Sequence, residues 1–298
     1  MREKKNIYLL PALLPPFLCL FLALVAYFAS IPISYFFSPL NRIDSIFDLA
    51  VTPDIFHTCR SILYLVVFGL WYSHICFPGW TRTFGAPVER KTAERVLRAK
   101  YMHPLPYLFL LPLGFCLRYM LTAFLYTLQN LFPGTMEKYS SAIREMTTAD
   151  ASALYLISGI FLLPLAEEII FRGVTLHFAK KALTALPAVI FSAFCYALYN
   201  LNLFESSFAL IFGLILGFLK EKSGGILPPL LLHMTFSLAI YLQPKKFMGS
   251  TAGSVLVLVC AMLLSLALTF LSFRFYDGKR PFRSARQDTS ASDSLKQP

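Results

Sequence analysis

Apolar runs of bilayer-spanning length recur along the whole chain. In lipid a backbone must satisfy its own N–H and C=O groups, and a helix does so within one segment. Runs above about 18 apolar residues mark spanning helices. The sequence therefore predicts an all-α fold, a polytopic membrane bundle of about eight transmembrane helices. The predicted spans lie near 7–37, 61–80, 105–131, 151–171, 182–203, 206–219, 226–242 and 254–273. Charged residues make up 14%, against about 25% in soluble domains, so no separate soluble domain is expected. The six cysteines (19, 59, 76, 116, 195 and 260) are scattered and form no C-x-x-C. They suggest neither a disulfide framework nor a cysteine metal site.

The net charge of +11 could invite nucleic acid, but its distribution argues for topology instead. Basic residues gather on alternate loops: Arg2, Lys4 and Lys5, then Arg82 to Lys100, Lys180, Lys181, Lys220 and Lys222, and finally Arg274 to Arg286. The opposite loops hold few, among them Arg42 and Arg60, several offset by acids such as Asp48 and Asp54. The positive-inside rule then predicts a multi-pass inner-membrane protein with both termini cytoplasmic, bound to lipid and not to nucleic acid. The first apolar run outlasts a cleaved signal core and is expected to be retained. The expected organisation is N-terminal helices with a basic cytoplasmic loop (1–150), a core (151–242), a last span (243–277) and a disordered basic tail (278–298).

One apolar run contains two adjacent carboxylates, Glu167 and Glu168, with Arg172 four residues on. An ionisable side chain at mid-bilayer costs about 2.5–3.5 kcal/mol, so such a pair is a functional hypothesis by default. On a helix, Glu168 and Arg172 share a face in the favourable acid-before-base order. Glu167 points about 100° away and is left free to hold water, as a general base would. The bland alternative is an ion cluster at a membrane boundary. A second polar intrusion is His233, with Ser237 one turn later on the same face. The run Gly224-Gly225-Ile226-Leu227-Pro228-Pro229 before them sets how that helix enters the membrane. A His and a Ser opposite two Glu could activate water or stabilise an oxyanion.

The elements Glu167-Glu168-x-x-x-Arg172 and Gly225-x-x-Pro228-Pro229-x-x-x-His233 together resemble the CPBP family. That family groups CAAX prenyl proteases of the Ras-converting type with bacteriocin-processing and immunity proteins. The resemblance covers roughly Ala151 to Leu242. It implies an intramembrane endopeptidase, cutting a membrane-associated or lipidated peptide near the cytoplasmic face, in a cavity open to the cytosol. Glu167 would activate water, Glu168 and Arg172 would support it, and His233 would stabilise the oxyanion or bind a metal. The family's second motif, F-x-x-x-H, has no histidine here. In the best register Cys195 stands for the Phe and Tyr199 for the His. Ser237 replaces the Asn of a final H-x-x-x-N. A neutral phenol can donate a hydrogen bond but is a poor base and metal ligand.

The cofactor therefore stays open at this level. A divalent metal such as zinc would use Glu167 and His233, and a metal-free, glutamate-activated water is at least as well supported. Zinc sites usually take three protein ligands, which this core barely offers. Arg118, in the third span, would pair with a neighbour or meet an anionic group of the substrate. His57, His74, His103 and His177 fall outside the motif helices. The competing functional class is a catalytically impaired relative acting as a membrane binding, immunity or scaffold protein. A transporter is disfavoured by the lack of inverted repeats.

Overall fold

The computed structural model describes residues 7–37, 52–76, 104–131, 152–201 and 203–242, with further positions scattered between 256 and 271. The basic loop around Arg95, His103, the tail 278–298 and most of the last predicted span lie outside the described residues. Every element described is helical: α1 (Leu9–Phe37), α2 (Pro53–Cys76), α3 (Pro104–Leu131), α4 (Ala153–Ala182), α5 (Ala185–Tyr199), α6 (Leu203–Ser223) and α7 (Leu227–Ala239). The described positions between 256 and 271 are helical too. The chain is an all-α membrane bundle.

Four helices are long and apolar enough to cross a membrane, namely α1, α2, the central part of α3, and α4. The shorter apolar helices α5 and α7 have 15 and 13 residues. Each has a sequence-encoded limit. An extended Thr184 precedes α5, and Leu201 follows it with φ of +53°. Pro228 and Pro229 occupy the first turn of α7, where a missing N–H is harmless.

Two boundaries differ from expectation. Helix α2 starts at Pro53, not 61, with proline at its first position and Asp54 in its first turn, both favourable at a helix N-terminus. Arg60, assigned from its charge to an outer loop, therefore lies inside the third turn of a helix. Helix α4 runs to Ala182, well past the expected end near 171. Arg172 and Gly173 read as an edge, yet Arg172 is buried against a carboxylate. A Cβ at Gly173 would come within 2.9 Å of the Tyr72 ring, so the bare glycine lets α2 and α4 meet. Glu167 thus stands near the middle of α4 instead of close to the end of the predicted span.

Contacts between helix ends show how the bundle is strung. At one end Lys180 of α4 pairs with Glu221 of α6 at 2.7 Å, and Lys181 sits over the Tyr8 ring beside α1. At the other end the His57 ring of α2 meets Tyr155 of α4 edge-on, and Ser34 of α1 lies 3.4 Å from Thr52. The core between them is apolar, with Phe68, Leu110, Ile170, Phe171, Leu216 and Leu232 fully excluded from solvent. Helices α5 and α6 pack tightly because Gly213 faces Ala193; an added Cβ would stand 3.1 Å from the Ala193 Cα.

Candidate active site

Helix α4 is not a regular helix where the acids sit. Two stretches, Ser158–Leu162 and Glu168–Thr175, are π-helical, flanking the single α-turn Leu163–Glu167 that carries Pro164. Widened turns of this kind recur at functional sites because they re-aim side chains that a regular ladder would send elsewhere. Here the second stretch begins at Glu168. From there to Leu176 every residue except Ile169 is buried.

The two carboxylates have different surroundings. Glu168 is fully buried, and its Oε1 lies 3.2 Å from Arg172 Nη1 and 2.9 Å from His233 Nδ1. Arg172 Nη2 also donates to the Gly213 carbonyl at 3.2 Å, and its guanidinium lies 4.8 Å from the Tyr196 ring centroid. Glu168 is thereby the hub of an ion and hydrogen-bond group joining α4, α6 and α7. Its second oxygen, Oε2, is buried without a hydrogen-bond partner among the described residues.

Glu167, which sequence left free, has partners of its own. His233 Nε2 lies 3.5 Å from Glu167 Oε2, and the Tyr196 hydroxyl hydrogen-bonds to the same carboxyl group. The imidazole therefore bridges the two acids, Nδ1 toward Glu168 and Nε2 toward Glu167. Its ring is held edge-on by Phe212 at 5.3 Å and Tyr196 at 6.1 Å. Donating Nδ1–H to Glu168 leaves the neutral ring with an accepting Nε2 beside Glu167.

Tyr199 sits one turn beyond Tyr196 on the same face of α5. Its ring packs 5.6 Å from Phe171 and 6.3 Å from Tyr64, and its hydroxyl bonds to that of Tyr64. The residue of α5 that touches Glu167 is Tyr196, which the sequence reading missed. The signal was present: Ser192, Tyr196 and Tyr199 share one helix face, and Ser192 already bonds to the Phe171 carbonyl at 2.7 Å. Taking the phenol three residues earlier shifts the register by one turn without leaving that face.

Ser237 is half-buried and takes no part in the bonds joining Glu167, Glu168, Arg172 and His233. Arg118 lies 5.3 Å from the Phe236 ring, where it helps join α3 to α7. His177 is half-buried against Phe178, and His57 lies at the far end of α2. Arg60 is close enough to act electrostatically on Glu167, Tyr64 and Tyr199.

The donor set does not match a three-ligand metal site. Glu167 Oε2 and His233 Nε2 face each other as two donors, but Glu168 is held by Arg172 and by the other imidazole nitrogen. No other His, Cys, Asp or Glu completes a set of three among the described residues, and three is the usual requirement.

Residues 149–239 match the family model described as type II CAAX prenyl endopeptidase Rce1-like. The match runs from just before α4 to the end of α7, and bears out the resemblance read from the motifs. No curated protein and no solved structure matches the chain.

Proposed function

We propose that the segment matched by the CAAX endopeptidase family is the working core of an intramembrane endopeptidase, with Glu167 as the base that activates water. The observation that carries this reading is the imidazole of His233 set between two buried carboxylates of unequal standing. Glu168 fixes the ring, while Glu167 and Nε2 converge on one point. A water there can give a proton to Glu167 while its oxygen attacks a peptide carbonyl carbon. The Tyr196 hydroxyl is the donor that would hydrogen-bond the oxyanion that forms, while His233 Nε2, an acceptor in this tautomer, helps hold the attacking water. Glu167 then passes the proton to the amide nitrogen as the C–N bond breaks, releasing a carboxylic acid and an amine.

The reaction needs no metal in this scheme, in keeping with the two-donor arrangement. Substrates are expected among membrane-associated or lipidated peptides, because the site lies inside an apolar bundle. Both termini are assigned to the cytoplasm from the distribution of basic residues. The decisive experiment is cleavage of lipidated and transmembrane peptides by purified protein in vesicles, comparing wild type with Glu167→Gln. Turnover by wild type and none by a folded Glu167→Gln supports the reading. Equal turnover by both would remove it.

The second reading, a binding or immunity protein, is favoured by one observation: a tyrosine stands where the family's second histidine is expected. Wild-type protein that binds such peptides without cutting any of them would bring this reading forward.

A further inference from the structure

The buried charges around His233 do not balance among themselves. Glu167 and Glu168 bring two negative charges, Arg172 brings one positive, and the neutral imidazole adds none. Arg172 belongs to Glu168, which it meets at 3.2 Å. The groups that touch Glu167, a phenol hydroxyl and an accepting Nε2, are both uncharged. A carboxylate inside a membrane bundle calls for a cation within reach, because a buried charge left alone costs more than a paired one.

Arg60 meets that need from across the bundle. Arg60 and Tyr64 are four residues apart and share one face of α2. Tyr64 donates to the Cys19 carbonyl at 2.8 Å, and its ring stands 6.3 Å from that of Tyr199. Tyr199 is in turn one helical turn from Tyr196, which bonds to Glu167. Cys19, Tyr64 and Tyr199 each lie within electrostatic range of both Arg60 and Glu167, so the two charges flank one small patch. Arg60 makes no ion pair among the described residues. Its Nη2 bonds to His57 Nδ1 at 3.1 Å, its guanidinium lies 5.4 Å from the Phe56 ring centroid, and its Nε is buried without a hydrogen-bond partner.

We propose that Arg60 is a positioning residue that supplies the counter-charge of Glu167. Helix α5 cannot supply it, since tyrosines stand where the resemblance expects a histidine. Standing beyond ion-pair distance is what makes this arginine useful. A cation in contact would occupy the carboxylate oxygens, as Arg172 does at Glu168, whereas one at longer range balances the charge and leaves the oxygens to water. When water gives its proton to Glu167, the negative charge moves to the adjacent oxyanion, and the total that Arg60 balances is unchanged. The kinetic consequence rests on the catalytic reading of Glu167; the charge pairing does not.

The test is a double-mutant cycle on the full chain, with the midpoint of thermal unfolding in detergent as its first readout. Arg60→Met and Glu167→Gln should each lower the midpoint, and the double variant should lose clearly less than the sum. Additive shifts would overturn the pairing. Should Arg60→Met alone fail to fold, the double variant should fold, because no charge is then left alone; failure of both would also overturn it. Turnover in vesicles is the second readout. Arg60→Met should lower kcat by about 10-fold with KM unchanged, as loss of a charge felt only at the reacting centre predicts. Arg60→Lys should recover most of that loss, and a lysine variant as poor as the methionine one would overturn the charge role. A wild type that cuts no peptide while the stability cycle shows coupling would remove the catalytic reading and uphold the charge pair, so the two failures remain distinct.

Discussion

Glu167 and Glu168 are neighbours in sequence with opposite situations. Glu168 is held on one oxygen by an arginine and an imidazole and is fully buried. Glu167 faces a phenol and the other imidazole nitrogen, with Arg60 of α2 near enough to act on it electrostatically. A helix turn of about 100° between them gives the two acids different neighbours, and in the proposed reaction different tasks. The contrast teaches that, in a membrane, the ionic group that looks strongest is the one least able to react.

The sharpest way to break this contrast is to neutralise each acid in turn. Glu167→Gln should leave the fold intact and lower peptidase turnover by about 10²–10⁴-fold, the usual worth of one acid–base group. Turnover assays beside thermal unfolding in detergent would show it. Glu168→Gln should do the reverse, with stability falling by about 3–5 kcal/mol because Arg172 is left buried and unpaired. Arg172→Ala should cost a similar amount, and the double variant clearly less than the sum in a double-mutant cycle. Strict additivity would mean that the two side chains are not a pair.

A smaller effect is expected at the phenol. Tyr196→Phe removes a hydrogen bond to a carboxylate, worth about 1.5–3 kcal/mol, so turnover should fall roughly 10- to 100-fold. Tyr199→Phe should change turnover much less, because its hydroxyl bonds to Tyr64 and not to the acid. Reversal of that order would return Tyr199 to the site. The smallest effect should come from metal removal: dialysis against a chelator, followed by elemental analysis and assay, should leave activity unchanged. Loss on chelation with recovery on adding zinc would show that Glu168 releases Arg172 to complete a ligand set.

Much of this was legible in the chain. Long apolar runs announce helices, and buried acids and a histidine are conspicuous because they are costly in lipid. Three things were not legible, each for a physical reason. Arg60 was assigned to a loop because its charge depresses local hydropathy, while the groups it meets, His57 beside it and Glu167 and Tyr199 across the bundle, come together only in three dimensions. Tyr196 was passed over because Tyr196 and Tyr199 lie on the same face, and only packing chooses between adjacent turns. The π-helical stretches of α4 leave no signal in composition or apolar periodicity.

The brevity of α5 and α7 has a mechanical consequence. At about 1.5 Å per residue these helices are roughly 22 and 20 Å long, well below a hydrocarbon thickness near 30 Å. Helix α5 also shows a continuous outward ridge of Leu186, Ile190, Phe194 and Leu198, each close to half exposed. A short apolar ridge of this kind draws the adjoining leaflets toward each other, because the acyl chains shorten to match it at a fraction of a kcal/mol per Å. A bilayer around the bundle would therefore have to thin beside α5, and membrane thickness would change the mismatch that this ridge meets.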